Sequence, residues 1–258
     1  MLMNRFFIDK NNIHDNIATI QGEDIDHIRR VLRLSVGDYI ELCDSEGYDY
    51  IAKLQDISKD LITAGIEKSY LSVGEPNVNV SVYQAVPKGD KMDTVIQKCV
   101  ELGVNKIIPV ITDRTIVKMD SFDARRKKTL RWQKISEEAA KQSKRGKIPG
   151  VSMPVDFSEA ASMEDASSTE DTSLKIIFWE EERCLSLRYI VEHAAEKNRN
   201  NIAIFIGPEG GFTEDEIFIA LRHGWKRVTL GPRILRTETV GMAALSAIMF
   251  YMEEMEWK

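Results

Sequence analysis

Hydrophobic positions change rhythm about a third of the way along the chain. Over residues 1–73 they fall in short runs broken by turn formers. Tyr39-Ile40-Glu41-Leu42-Cys43 and Tyr50-Ile51-Ala52-Lys53-Leu54 flank the turn-forming Asp44-Ser45-Glu46-Gly47, and Leu61 to Ile66 supplies another run. Strands this short and this closely spaced predict a small β-barrel. Leu71 to Asn77, which holds Gly74 and Pro76, reads as a linker.

Beyond it the pattern alternates between strand and helix. Val78 to Val86 reads as a strand and runs into the loop Pro87-Lys88-Gly89-Asp90-Lys91. Met92, Val95, Ile96, Cys99 and Val100 follow at the spacing of one helical face. Gly103 stands where a helix C-terminal glycine belongs, and Lys106 to Ile111 is the next strand. This βαβ unit predicts an α/β domain built on a parallel sheet over residues 74–258. A helix is expected from about Ala124 to Ser143, then a surface helix or loop over Ser152 to Ser173. Strands follow at Leu174–Trp179, Ile202–Ile206 and Val228–Leu230, and a last helix runs from about Thr239 to Glu254. No internal repeat is visible.

Composition narrows the class. Of 258 residues, 43% are hydrophobic and 29% charged, the balance of a globular protein. The opening Met1 to Asp9 builds no apolar run of the signal-peptide kind. The longest uncharged stretch, Thr239 to Met252, is 14 residues, whereas a membrane-spanning helix needs about 20. A cytoplasmic protein is expected. Cys43, Cys99 and Cys184 have no CxxC spacing, and His14, His27, His193 and His223 form no ligand pair. Neither a disulfide framework nor a metal site is expected.

Charge matters more by segment than in total. The chain carries −6 overall, yet residues 114–147 carry +8 and residues 151–182 carry −8. A basic block inside an acidic protein points to a directed polyanion contact, RNA in particular; the alternative is an ordinary solvated helix face. Within the block, Trp132 either stacks on a base or packs against the sheet. His27 is either structural or an RNA contact, and Lys98 with Glu101, three apart, is either a surface ion pair or part of an RNA surface.

Two Gly-Pro loops carry the candidate chemistry. Ile202 to Ile206 runs into Gly207-Pro208-Glu209-Gly210-Gly211, after which Thr213 and Glu216 have capping-box spacing and Phe212 with Ile217 fits a hydrophobic staple. A second loop, Leu230-Gly231-Pro232-Arg233-Ile234-Leu235-Arg236-Thr237-Glu238-Thr239, also lies between a strand and a helix. Such crossovers lie at the carboxyl edge of a parallel sheet, where ligands bind. Neither loop is a GxGxxG or GxxxxGK[ST] fingerprint, which argues against NAD, ATP and GTP.

These two loops resemble those of the SPOUT methyltransferases, and within them the RsmE family of 16S ribosomal RNA uracil(1498)-N3-methyltransferases. The resemblance extends along the chain through Arg5-Phe6-Phe7, the segment His27 to Arg33, Gly37-Asp38, Lys88 to Lys91, Glu101 to Val104, Arg131-Trp132 and Glu138 to Ser143. Val240 and Gly241 depart from the pattern, a matter of pocket detail. The resemblance implies an N-terminal PUA-like RNA-binding barrel and a trefoil-knotted C-terminal domain that binds S-adenosylmethionine. The matching cofactor positions are Phe178, Trp179 and Glu180; Ile206, Gly207, Pro208, Glu209, Gly210 and Gly211; and Leu230, Gly231, Pro232, Ile234, Leu235, Arg236, Thr237, Thr239 and Val240. Close backbone approach to the cofactor is expected at Gly210 and Gly231. A homodimer is implied, with the apolar final helix (Met242, Leu245, Ile248, Met249, Met252) packed across a two-fold axis.

RNA contacts are expected from Arg5, His27, Arg30 and Arg33, from Lys88, Lys91, Lys98, Arg114 and Arg131, and from Lys141, Gln142 and Arg145. The expected substrate is a folded small ribosomal subunit rather than naked RNA. Arg236 is the candidate cation for the anion that develops on uracil. Glu238, or a water it holds, is the candidate base; capping the final helix is the alternative for Glu238. Ribose 2′-O-methylation on the same fold and a non-catalytic RNA-binding assembly factor remain the competing readings.

Overall fold

The computed structural model describes residues 3–117, 119, 121–163, 173–197 and 199–252. They divide into two compact units, 1–75 with 140–148 and 76–139 with 149–258.

The first unit is a six-stranded sheet. Its strands are β1 (Arg5–Phe7), β2 (Ile13–His14), β3 (Ile17–Ile20), β4 (Tyr39–Cys43), β5 (Tyr48–Ile57) and β6 (Ile62–Leu71), with a short helix α1 (Glu23–Asp26) that continues as a wider turn through Val31. The order is β1-β4-β5-β6-β3-β2, antiparallel except for β1 beside β4. Alternating inward residues, among them Phe6, Ile28, Ile40, Leu42, Leu54 and Ile62, close one apolar core. β5 and β6 are each ten residues long, longer than the apolar runs suggested, because their outer ends pair through polar positions such as Tyr50 with Ser69. The segment read as a linker begins inside β6.

A buried polar network ties residues 140–148 into this unit. Arg5 donates to Glu41 at 3.0 Å, to Asp49 at 2.7 Å and to the Arg145 carbonyl at 2.9 Å. Arg145 in turn donates to both carboxylate oxygens of Glu75, at 2.7 and 2.9 Å, and the Gly146 and Lys147 amides donate to the same side chain. The Arg5 and Arg145 side chains are each 4% exposed. Both were expected on an RNA surface. Both are instead structural: a guanidinium taken out of water needs carboxylate and carbonyl partners, and the network supplies them.

The second unit is a parallel sheet with helices on both faces. Its elements, in chain order, are β7 (Asn79–Ala85), α2 (Lys91–Glu101), β8 (Lys106–Ile111), α3 (Phe122–Gln142, whose last turn belongs to the first unit), β9 (Gly150–Val151), β10 (Val155–Asp156), α4 (Phe157–Ser162), β11 (Ser173–Phe178), α5 (Leu187–Glu196), β12 (Asn201–Ile206), α6 (Glu214–Arg222), β13 (Lys226–Val228) and α7 (Thr237–Tyr251). The strand order is β10-β8-β7-β12-β11-β13, with β9 also on β8, and every pairing is parallel. The central strands are buried on both faces, as their near-continuous apolar runs require. On one face Tyr83, Ile177 and Phe205 pack with Phe157 and Ala160 of α4 and Ile217 of α6. On the other, α2 and α7 lie together: a Cβ on Gly241 would stand 3.3 Å from both Cys99 Sγ and Ile206 Cδ1.

Two differences from the sequence expectation have local causes, and one open alternative closes. Residues 157–162 form a helix with Phe157, Ala160 and Ala161 buried, so this part of the Ser- and acid-rich segment is core rather than surface; residues 164–172 of it lie outside the described residues. The helix α5 was not foreseen, although Ser186 caps it and Leu187, Ile190, Val191 and Ala194 form a regular buried face. Trp132 is buried, with Lys128 Nζ 5.6 Å from its ring centroid, which settles its alternatives in favour of packing.

Candidate functional site

Three loops leave the carboxyl ends of the neighbouring strands β12, β11 and β13, and each is held by its own hydrogen bonds. In the first, Gly211 has φ +69° and its amide donates to the Pro208 carbonyl at 3.0 Å. The loop then enters α6 through the capping box of Thr213 and Glu216, with Phe212 and Ile217 buried beneath. The other Glu216 oxygen also accepts the Asp113 amide at 2.9 Å, so the cap joins β8 to the loop. In the second, after β11, the Glu182 carboxylate gathers the amides of Arg183, Cys184 and Leu185 at 2.9, 2.7 and 3.3 Å. These bonds, the Cys184 amide foremost, hold Glu182 below the usual carboxylate range. In the third, after β13, Gly231 has φ +103° and its amide donates to Thr229 Oγ1 at 3.2 Å.

Two further contacts join the first and third loops. The Thr237 hydroxyl, at the start of α7, donates to the Gly207 carbonyl at 2.6 Å and accepts from fully buried Gln84 Nε2 at 3.0 Å. Lys91, at the start of α2, places Nζ 2.9 Å from Glu209 and 3.4 Å from Glu238. Glu209 also accepts the Lys88 amide. Burial pushes the Glu209 carboxyl up, but the Lys91 ammonium and the surrounding amides outweigh it and leave the group below its ordinary value.

Between the loops lies a cavity of about 590 Å³, within the usual range for small-molecule sites. Its wall is apolar at Phe178, Ile206, Phe212, Leu235 and Val240 and charged at the rim. All the sequence-derived cofactor positions meet there except Gly210 and Thr239. Gly210 instead faces Arg114: a Cβ on it would stand 3.2 Å from Arg114 Cδ, and its carbonyl accepts from Arg114 Nη1. Gly207, Gly211 and Gly231 are the loop glycines that line the cavity. Arg236 lines it too, exposed and with no ion pair among the described residues. Glu238 makes no side-chain cap on α7, whose N-cap is Arg236.

Sequence reasoning assigned Lys91 elsewhere and passed over Glu181, Arg183, Phe212, Thr229 and Arg233, all on the wall. Arg233 sits inside the second Gly-Pro loop, and Arg183 directly follows the three glutamates after β11, so position relative to a strand end was the usable signal.

The remaining RNA candidates divide by environment. In the first unit His27, Arg30, Arg33 and Gln142 are exposed. Phe6 packs edge-on to His27, Arg30 pairs with Asp26 at 3.3 Å, and Lys141 is held by Asp24 at 3.2 Å. In the second unit Lys88 is exposed, Lys98 forms the surface ion pair with Glu101 at 2.8 Å, and Arg131 is held by Asp90 and Asp93. No group of residues able to hold a metal ion exists among the described residues, and no described helix is long and apolar enough to cross a membrane.

Comparison with known proteins matches this architecture. The family model of the RNA methyltransferase domain matches residues 74–249, and that of the RNA methyltransferase PUA domain matches residues 20–67. The ribosomal RNA small subunit methyltransferase E of Bacillus subtilis is 34% identical over 257 residues, 97% of this chain and 98% of the relative. Its namesake from Neisseria gonorrhoeae, solved bound to S-adenosyl methionine, superposes with a TM-score of 0.84 at 32% identity, over 96% of this chain and 98% of that one. A Legionella pneumophila methyltransferase, also solved with this cofactor, gives 0.84 at 29% identity, over 97% and 98%.

Proposed function

The chain belongs to the RNA methyltransferase family, and from that premise we propose that it transfers the methyl group of S-adenosylmethionine to N3 of a uracil in small-subunit ribosomal RNA. The observation that carries the reading is the cavity at the carboxyl edge of the parallel sheet, walled by both Gly-Pro loops and bordered by Arg236, which has no ion pair among the described residues. Its apolar floor and glycine-lined walls suit a flat aromatic base and a thioether-like chain. Phe178, Ile206, Leu235 and Val240 would hold the apolar parts, and the backbone of residues 207–209, 211 and 230–232 on the wall would bond the polar ones. The cofactor supplies an activated methyl group on a sulfonium.

What falls to the protein is orientation and charge. N3 lies on the pairing edge of uracil, so the base must be unpaired or flipped out to reach the cavity. Loss of the N3 proton spreads negative charge over the two flanking carbonyl oxygens. Arg236 stabilises it, standing on the cavity wall and charged at any working pH. Glu238, two residues on and beside Lys91, is the candidate acceptor for the proton through a water it holds, since its own side chain is not on the cavity wall. We read the loops after β11, β12 and β13 as the crossings of a trefoil knot. The cellular setting of this reading is the cytoplasm, and the assembly a homodimer. Support for a second copy is the exposed apolar surface of Tyr189, Ile234 and Phe250. Light scattering should then give twice the 29.4 kDa chain mass.

The deciding experiment uses small ribosomal subunits from cells that lack the gene. Incubation with the protein and methyl-labelled cofactor, then nucleoside mass spectrometry, should yield 3-methyluridine at one position. A ribose-methylated nucleoside, or no incorporation, would overturn the assignment.

A further inference from the structure

Lys91 occupies the first turn of α2, where the helix dipole disfavours a cation. Its Nζ is 2.9 Å from Glu209 Oε1 in the loop after β12 and 3.4 Å from Glu238 Oε2 in the first turn of α7. Glu209 Oε1 receives the Lys88 amide as well, at 3.2 Å, so the segment 88–91 meets it through both backbone and side chain. One ammonium therefore stands between two carboxylates, Glu209 on the cavity wall and Glu238 behind it in the first turn of α7. Lys91 is itself on the cavity wall, yet its charge is turned toward these two acids rather than left free for an outside anion.

We propose that Lys91 is a positioning residue, whose ammonium locks the first Gly-Pro loop to the start of α7 through Glu209 and Glu238 and so sets the shape of the cofactor cavity. The inference deepens the methyltransferase reading and rests on it for the identity of the cavity's ligand. Without the ammonium, the two like charges that flank it repel each other and push the loops apart. Glu238 is also released two residues from Arg236, the cation the reaction needs unpaired. The hydrogen bonds of Gln84, Thr237 and Gly207 hold the same two segments deeper in the fold, so removal of Lys91 loosens the rim without unfolding the unit. The pair to Glu209 holds the lysine above its ordinary value.

The test compares wild type with Lys91→Met and Lys91→Arg. Hydrogen exchange is followed in the cofactor-free protein at residues 207–211 and 229–240. In Lys91→Met both segments should exchange about tenfold faster, the loss expected for one charge-assisted link, while α6 and the central strands stay unchanged. Lys91→Arg should restore protection in both. Affinity for S-adenosylhomocysteine, measured by calorimetry, should fall about tenfold in Lys91→Met and recover in Lys91→Arg. Unchanged exchange in both segments overturns the proposal, and so does a change confined to 207–211. It is equally overturned if Lys91→Met weakens RNA binding alone, which makes the lysine an RNA contact. If wild type itself fails to bind S-adenosylhomocysteine, the methyltransferase reading falls while the exchange data still judge the clamp.

Discussion

Gly211→Ala separates backbone strain from side-chain contact at the cavity wall. Gly211 sits at φ +69°, a conformation that costs an L-residue roughly 1–2 kcal/mol. A Cβ added there would stand 2.9 and 3.0 Å from the two Glu180 carboxylate oxygens, closer than such atoms approach. Glu180 is exposed, so its carboxylate can swing aside, at about 0.5–1.5 kcal/mol if it leaves a rotamer well. The variant should therefore lose about 1.5–3.5 kcal/mol of stability in the second unit. Trp132, Trp179 and Trp225 all lie in that unit, so tryptophan fluorescence in a urea titration reads it. Repeating the substitution in a Glu180→Ala background removes the contact and leaves the strain, so the cost should drop to about 1–2 kcal/mol. An equal cost in both backgrounds would refute the contact. A cost under about 0.5 kcal/mol, the size of an ordinary surface change, would refute the strain as well.

Arg236→Ala should keep S-adenosylhomocysteine affinity and lose about two to three orders of magnitude in single-turnover methyl transfer, as an oxyanion-type donor does; a wild-type rate with saturating RNA would remove it from the chemistry. Arg145→Ala should destabilise the first unit by about 3–5 kcal/mol, because it strands the Glu75 carboxylate and the Arg5 network, and circular dichroism in urea would read this. Arg126→Ala with Lys127→Ala should instead leave stability intact and lower the salt slope of RNA binding by about 2. The Lys91–Glu209 pair sets two pH limbs. Its stabilisation, present above the ordinary glutamate value of 4.5, fades as pH falls through the lowered Glu209 value, and on the alkaline side it is complete below 10.5 and fades as pH rises through the raised Lys91 value. The difference in urea midpoint between wild type and Lys91→Met should thus be flat between these limbs and shrink beyond each.

Local regularity made much of this fold legible. The helical spacing of Met92 to Val100, the apolar run Ile202 to Ile206 and the Thr213–Glu216 capping box each depend on neighbours in sequence, and each stands in the structure. Legibility ended where a partner lies far along the chain. Nothing near Arg5 announces Asp49 or the Arg145 carbonyl, 44 and 140 residues away. The same limit explains the glycines of the first loop. Gly210 and Gly211 are alike as letters, and only the fold turns one toward Arg114 and the other toward Glu180.

The basic block shows why a charge count along the sequence overstates the charge left for RNA. Helix α3 and its flanks carry their cations into a fold that is acidic overall, and the acids claim many of them. Arg125 goes to Asp156, Arg131 to Asp93, Lys141 to Asp24, Lys144 to Glu41 and Arg145 to Glu75. Arg114 is spent on the Gly210 carbonyl and Lys128 on the face of Trp132. Each such pairing returns part of the counterion release that binding a phosphate would gain. Arg126, Lys127 and Lys147 remain exposed with no ion pair among the described residues. Phosphate contact from this block should therefore concentrate on the outer face of α3 and the turn that follows it, and an RNA footprint centred on Arg145 or Arg131 would contradict the accounting.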